Sequence, residues 1–219
     1  MVEIYDSHEQ SERVKKWLQE NGIAIVMGLV IAFGGLFGFK QWQLWQQNKA
    51  RRASAEYTAL SDFLKDEKLD AAVPYYETLK KEYSGSAYAS LAALQMAHAR
   101  VDAGQADLAA PMLQFVMSNG IPEPLKIIAR ERLARLRLDQ NKPDAALKLL
   151  DESPTSVGFE ARFDEIRGDI YRQKGDRKKA AQYYTQALAK LESGVGYRPL
   201  LELKLEDLAV SMPDEGESS

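Results

Sequence analysis

Residues 168–187 read G-D-I-Y-R-Q-K-G-D-R-K-K-A-A-Q-Y-Y-T-Q-A. Gly168, Tyr171, Gly175, Ala180, Tyr184 and Ala187 stand at the spacing of two short helices folded back on each other. Gly168 leaves room for close helix contact, the tyrosines fill the next layer, and Gly175 lets the chain reverse. Around this stretch the segments between Gly and Pro breaks carry helical periodicity, with no alternating strand pattern.

The pattern recurs upstream. Ala134, Asn141, Ala146 and Leu150 repeat it, as do Ala97, Gly104, Ala109, Leu113 and Val116. A degenerate copy falls on Leu60, Phe63, Ala72, Tyr76 and Leu79. The second-helix alanines Ala72, Ala109, Ala146 and Ala180 lie 37, 37 and 34 residues apart. Tetratricopeptide units average about 34 residues, so four helix pairs of that kind are predicted. Asn141-Lys142-Pro143-Asp144 and Lys174-Gly175-Asp176 supply turn chemistry at two of the reversals. Residues 197–212 bring Leu200, Leu201, Leu203, Leu205 and Leu208 with interleaved charge, as a helix that caps the array. The expected fold class is all-α, a tetratricopeptide-like α-solenoid over residues 43–212.

A different segment precedes it. Residues 23–39, I-A-I-V-M-G-L-V-I-A-F-G-G-L-F-G-F, carry no charge, and Glu20 and Lys40 stand on either side. Ten of these seventeen residues are Leu, Ile, Val or Phe, which on an insertion scale favours the membrane by roughly 3–6 kcal/mol. Extended to residues 21–42, the helix reaches about 33 Å, enough for a hydrocarbon core of about 30 Å. Trp17, Trp42 and Trp45 are the only tryptophans and all flank the span, as an aromatic belt would. A buried core helix would not place every Trp at its edges. Glu3, Asp6, Glu9, Glu12 and Glu20 precede the span, unlike the short basic start of a cleaved signal peptide. A single transmembrane helix over 21–42 is therefore expected, with residues 1–20 on one side. Arg13, Lys15 and Lys16 nearly balance Lys40, Lys49, Arg51 and Arg52, so charge does not decide the orientation. Ala24, Gly28 and Ala32 on one face, and Gly34 and Gly38 on a neighbouring one, would let another helix approach closely.

Composition narrows the chemistry. A net charge of −3 gives no case for nucleic acid. With no cysteine, a thiol nucleophile and a Cys-based zinc site are excluded. His8 and His98 are the only histidines, and no triad, metal-ligand or phosphate-loop spacing accompanies them. Neither enzymatic activity nor a cofactor is expected. Residues 213–219 read as a disordered acidic tail.

A helical array of this kind binds along the face of its first helices. The template puts Tyr57, Leu91, Leu94, His98, Val101, Ile128, Glu131, Arg135 and Leu138 there, followed by Arg162, Glu165, Asp169 and Arg172. The early part is partly apolar and the late part charged. Such a groove suits an extended or helical peptide, or segments of an unfolded chain.

Glu3-Ile4-Tyr5, Glu9-Gln10, Val14-Lys15, Trp17, Glu20-Asn21-Gly22 and Lys40-Gln41-Trp42 resemble the YfgM family of ancillary SecYEG translocon subunits. The similarity continues through Leu91-Ala92, Leu125-Lys126, Arg132-Leu133-Ala134-Arg135 and Ala145-Ala146-Leu147-Lys148. Arg167-Gly168, Lys174-Gly175-Asp176 and Lys204-Leu205 extend it over nearly the whole chain. It weakens around residues 65–85 and after Met212. The resemblance implies a single-span inner-membrane protein with a cytoplasmic N-terminus and periplasmic repeats. It implies partners too: the SecYEG translocon, a PpiD-type periplasmic foldase, unfolded exported proteins, and a cytoplasmic regulator at the N-terminal tail. Two other roles fit the same residues, a non-chaperone scaffold and a regulatory adaptor of another inner-membrane complex.

Overall fold

A computed structural model describes residues 7–151, 158–191 and 197–210. The reading of residues 213–219 as a tail falls outside them, as do residues 1–6. The chain divides into two compact units, residues 1–51 and 52–219. The described residues form nine helices: α1 (Ser7–Lys65), α2 (Leu69–Glu82), α3 (Ala87–Asp102), α4 (Ala106–Asn119), α5 (Glu123–Asp139), α6 (Pro143–Leu149), α7 (Glu160–Gln173), α8 (Arg177–Lys190) and α9 (Arg198–Val210).

In the first unit α1 carries its apolar side chains on every side, and they stay exposed. Ile23, Ile31 and Phe37 are 79%, 73% and 73% exposed, and Trp17, Trp42 and Trp45 are open as well. A Cβ placed on Gly28, Gly34 or Gly38 would meet nothing within 4 Å. Among the described residues no single helix is long and apolar enough to cross a membrane. Residues 11–24 and 26–65 together have that length and composition, with a bend of 46° between them.

The second unit is a succession of helix pairs. α3 pairs with α4, α5 with α6 and α7 with α8, and α9 closes the series. The last turns of α1 meet α2 through Leu60 in a shared core cluster and through Phe63, whose ring lies 5.4 Å from that of Tyr75. All four reversals are built alike. Glu67, Gly104, Asn141 and Gly175 hold positive φ, at 58°, 72°, 58° and 79°. Each follows the same residue of its helix by seven positions: Leu60, Ala97, Ala134 and Gly168. The next amide donates to a carbonyl five residues back: Lys68 to Phe63 (2.9 Å), Gln105 to Arg100 (2.7 Å), Lys142 to Arg137 (2.9 Å) and Asp176 to Tyr171 (2.9 Å). This is the Schellman closure, which satisfies carbonyls that the helix end leaves open. Pro143 then starts α6, and the Asp176 carboxylate accepts from the Lys179 amide at 3.1 Å to cap α8.

The core runs between the pairs in three clusters among the described residues. Ala72, Ala109, Ala146, Ala180 and Ala187 are fully buried, where a larger side chain would force the helices apart. Gly168 shows why the first helix needs a small residue: a Cβ there would come within 2.4 Å of the Tyr184 ring. Tyr184 is itself fully buried, whereas Tyr171 is half-buried and stacks on Tyr183 with centroids 5.4 Å apart. Burial pushes the Tyr76 phenol up to about 12, with Glu77 adding to the shift.

Candidate functional site

The first helices meet one another one repeat apart, and polar contacts mark each junction. Gln95 donates to the Tyr57 hydroxyl at 2.9 Å and accepts from Ser61 at 2.9 Å. Arg132 reaches the Leu94 carbonyl at 3.5 Å. Arg162 lies 3.5 Å from Glu131, and Arg135 lies 3.3 Å from Glu165 while also pairing with Glu131. Lys204 of α9 reaches back to Glu165 at 2.7 Å and Asp169 at 2.8 Å. Tyr184 donates to Asp169 at 2.7 Å. Burial and then this carboxylate hold the Tyr184 phenol well above its usual range.

These contacts sort the residues expected to line a groove. Leu94 and Glu131 are 6% and 2% exposed. They belong to the seams between successive first helices and do not face an open groove. Glu165 is buried in the same way beneath Lys204. Tyr57, Leu91, Ile128, Arg135 and Leu138 are half-buried, and His98 and Val101 are exposed. Tyr57 packs on Tyr88 with ring centroids 5.7 Å apart. Arg172 is exposed and lies 3.4 Å from Asp207.

One cavity of about 300 Å³ opens between α3, α4 and α5. Ala97, Val101, Leu113 and Leu136 form its apolar lining, and His98, Arg132, Arg135 and Asp139 stand around it. His98 is held 3.2 Å from Asp102, at an exposed position. A volume of this size holds a large side chain of a peptide, and the flanking groups can meet its backbone. A wider hollow of about 820 Å³ lies between α5, α7 and α9 and is lined by charge, including Arg135, Asp169, Arg172, Lys204 and Asp207. Its charges largely satisfy one another, which leaves the apolar cavity as the better peptide seat. Ala97, Leu113, Arg132, Leu136 and Asp139 were not among the residues expected to line the groove, although Ala97 and Leu113 were placed in the repeat pattern. Leu113 lies on a second helix, which a first-helix register does not search. Among the described residues no three His, Asp or Glu side chains gather as a metal site would require.

Comparison with known proteins follows the same lines. The model of a tetratricopeptide repeat-like domain matches residues 15–210. In solved structures, repeats of a Podosopora anserina kinesin light chain superpose with a TM-score of 0.52 at 16% identity, covering 73% of this chain and 86% of the other. That likeness concerns the fold. An ancillary SecYEG translocon subunit of Escherichia coli is 31% identical over 95% of this chain and all of its own length. Its counterpart in Aggregatibacter actinomycetemcomitans is 31% identical with the same coverage. The Neisseria gonorrhoeae protein of that name is 29% identical over 95% of this chain. On the strength of this end-to-end similarity and of the repeat fold that carries it, the chain belongs to the family of ancillary SecYEG translocon subunits.

Proposed function

We infer that this protein is a membrane-tethered, non-catalytic scaffold at the SecYEG translocon that binds segments of newly exported, unfolded chains. The apolar cavity beside Val101 carries this reading, because it offers one anchor side chain an apolar pocket next to charged groups. Residues 21–42 cross the membrane once, with the 46° bend near the start of the span, the N-terminus cytoplasmic and the repeats periplasmic. Support for the span comes from side chains that are apolar all round and largely exposed. Ala24, Gly28, Ala32, Gly34 and Gly38 form the faces on which a translocon helix packs. Tethering keeps the cavity near emerging chains at an effective concentration on the order of millimolar, so weak contacts suffice without ATP or a cofactor. A PpiD-type foldase shares the clients, and residues 1–20 are available to a cytoplasmic regulator.

The test is photo-crosslinking of the full chain in membranes engaged in export. A crosslinker at Val101 is expected to capture exported chains, and one at Gly28 a translocon subunit. Leu108, 50% exposed on a second helix, is the control. Equal capture from Leu108 and Val101, or none from Val101, overturns the peptide-binding reading.

A further inference from the structure

α9 takes the place of a first helix whose successor the described chain does not contain. In the second pair Gln95 stands two residues before Ala97 and touches Tyr57 and Ser61 of the first pair. These stand three before and one after Leu60. Lys204 makes the same pair of contacts, to Glu165 and Asp169, three before and one after Gly168. The register therefore puts Glu206 in α9 where Ala97, Ala134 and Gly168 stand in the earlier helices. Those small residues seat a second helix. In the first pair Leu60 holds this place, buried in one cluster with Ala72 and Leu79 of α2, so size alone does not bar a second helix. Glu206 is exposed, and a second helix seated there would bury its charge.

The same register aligns Leu203 with Leu94, Glu131 and Glu165. Those three are 6%, 2% and 6% exposed because the next first helix covers them, whereas Leu203 is 60% exposed. Leu200 aligns with the half-buried Leu91 and Ile128 and is 48% exposed. Leu201 and Leu208, on the opposite side of α9, are buried in the stack. Leu203 thus lies where Leu94, Glu131 and Glu165 are each covered by a helix, whereas Leu200 also aligns with Arg162, which is exposed in α7.

We propose that α9 is a docking seat for a basic amphipathic helix of another protein, which stacks on it as the next first helix. Charge selects the occupant. Glu202, Glu206 and Asp207 are exposed around the leucines. Glu202 lies 3.8 Å from Arg198 and Asp207 3.4 Å from Arg172, solvent-exposed pairs of the weak kind that an incoming base can join or replace. Lys204 is turned back onto Glu165 and Asp169. A second copy docking through the same face would oppose acid to acid. The residues that follow bring Asp214, Glu215 and Glu217 and no base. A lysine or arginine of the incoming helix would meet Asp207 beside Leu203, as Lys204 meets Asp169 beside Glu165.

The seat is tested on the full chain in neutral-lipid nanodiscs, with empty discs as the blank. The probe is a labelled Leu/Lys amphipathic helical peptide of sixteen residues, the length of α3. A Leu/Glu peptide of the same pattern is the comparison. The Leu/Lys peptide is expected to bind, and the Leu/Glu peptide at least about tenfold more weakly. Leu203→Glu and Glu206→Lys, both at exposed positions, each weaken the Leu/Lys peptide by about tenfold or more. Val101→Glu leaves it unchanged, which separates this seat from the cavity on α3. Equal affinity of the two peptides, no binding above the blank, or indifference to both substitutions overturns the proposal. A dimer of the full chain that dissociates on Leu203→Glu also overturns it, in favour of a second copy.

Discussion

α3 and α7 occupy equivalent places in the stack and are held there by opposite chemistry. α3 buries Ala89, Ala92, Ala93, Leu94, Met96 and Ala97, a seam of small and flexible apolar groups, with Ser90 and, at its end, Arg100 as its buried polar side chains. α7 buries Phe163, Ile166 and Ile170, but also Asp164 and Glu165. Asp164, 1% exposed, is gripped by Arg167 at 2.8 Å and Lys190 at 2.6 Å. The backbone plan, with its left-handed turn residue and small contact residue, tolerates either solution. The choice has a functional side. The apolar seam leaves an apolar cavity open at its edge, while the ionic seam binds its own charges and offers a peptide little.

The sharpest break between the two is how they fail. Met96→Ala should cost about 3 kcal/mol through lost packing and the cavity left behind. Asp164→Ala should cost about 2 kcal/mol, below the usual loss for a broken buried pair, because Lys190 is 42% exposed and screened. Denaturant titration of both, with Lys190→Met added, measures the coupling. Asp164 and Lys190 should couple by more than about 0.5 kcal/mol, and Asp164 and Met96 should simply add. Additivity of Asp164 with Lys190 would erase the distinction.

A smaller effect probes what the two regions share. Glu67 and Gly175 hold φ of 58° and 79° at equivalent turns, but only glycine does so without strain. Glu67→Gly should stabilise the chain by about 1 kcal/mol, and Gly175→Ala should destabilise it by a similar amount. Thermal melts that move the same way for both would refute the common turn.

The smallest effect is electrostatic and lies on the surface of the ionic half. Lys174 donates to Asp144 at 2.6 Å and holds that carboxyl below its ordinary 3.8. A lowered carboxyl favours the folded state above its ordinary value, and the benefit fades as pH falls through the lowered one. Asp144→Asn should therefore be slightly less stable than the parent near neutrality, and the two acid-unfolding curves should converge at low pH. Curves that diverge instead would assign the contact another role.

Much of this contrast was legible in the chain. Ala97, Ala134 and Gly168 with Gly104, Asn141 and Gly175 give the pairs and their register, because packing and turn geometry act within a few residues. Glu67 hid the first turn, since an acidic residue there gives no sign of a left-handed φ. Burial of Glu131, Asp164 and Glu165 was illegible for a different reason. Charged residues read as a solvated face, and although Arg135 and Arg167 stand one turn from Glu131 and Asp164, other compensating cations stand far along the chain, such as Lys204, which is 39 residues beyond Glu165. The expected groove positions Leu94 and Glu131 were lost in the same way, under helices one repeat onward.

Helix contacts in the repeat unit join neighbours along the chain, such as α4 with α5 and α5 with α7. Cooperativity then decays with distance along the stack. Amide exchange should show graded protection, highest in α5 and lowest toward α9, whose outer side is covered by no helix among the described residues. An open last element can loosen without unravelling the rest, so docking there could be reversed while the earlier pairs stay folded.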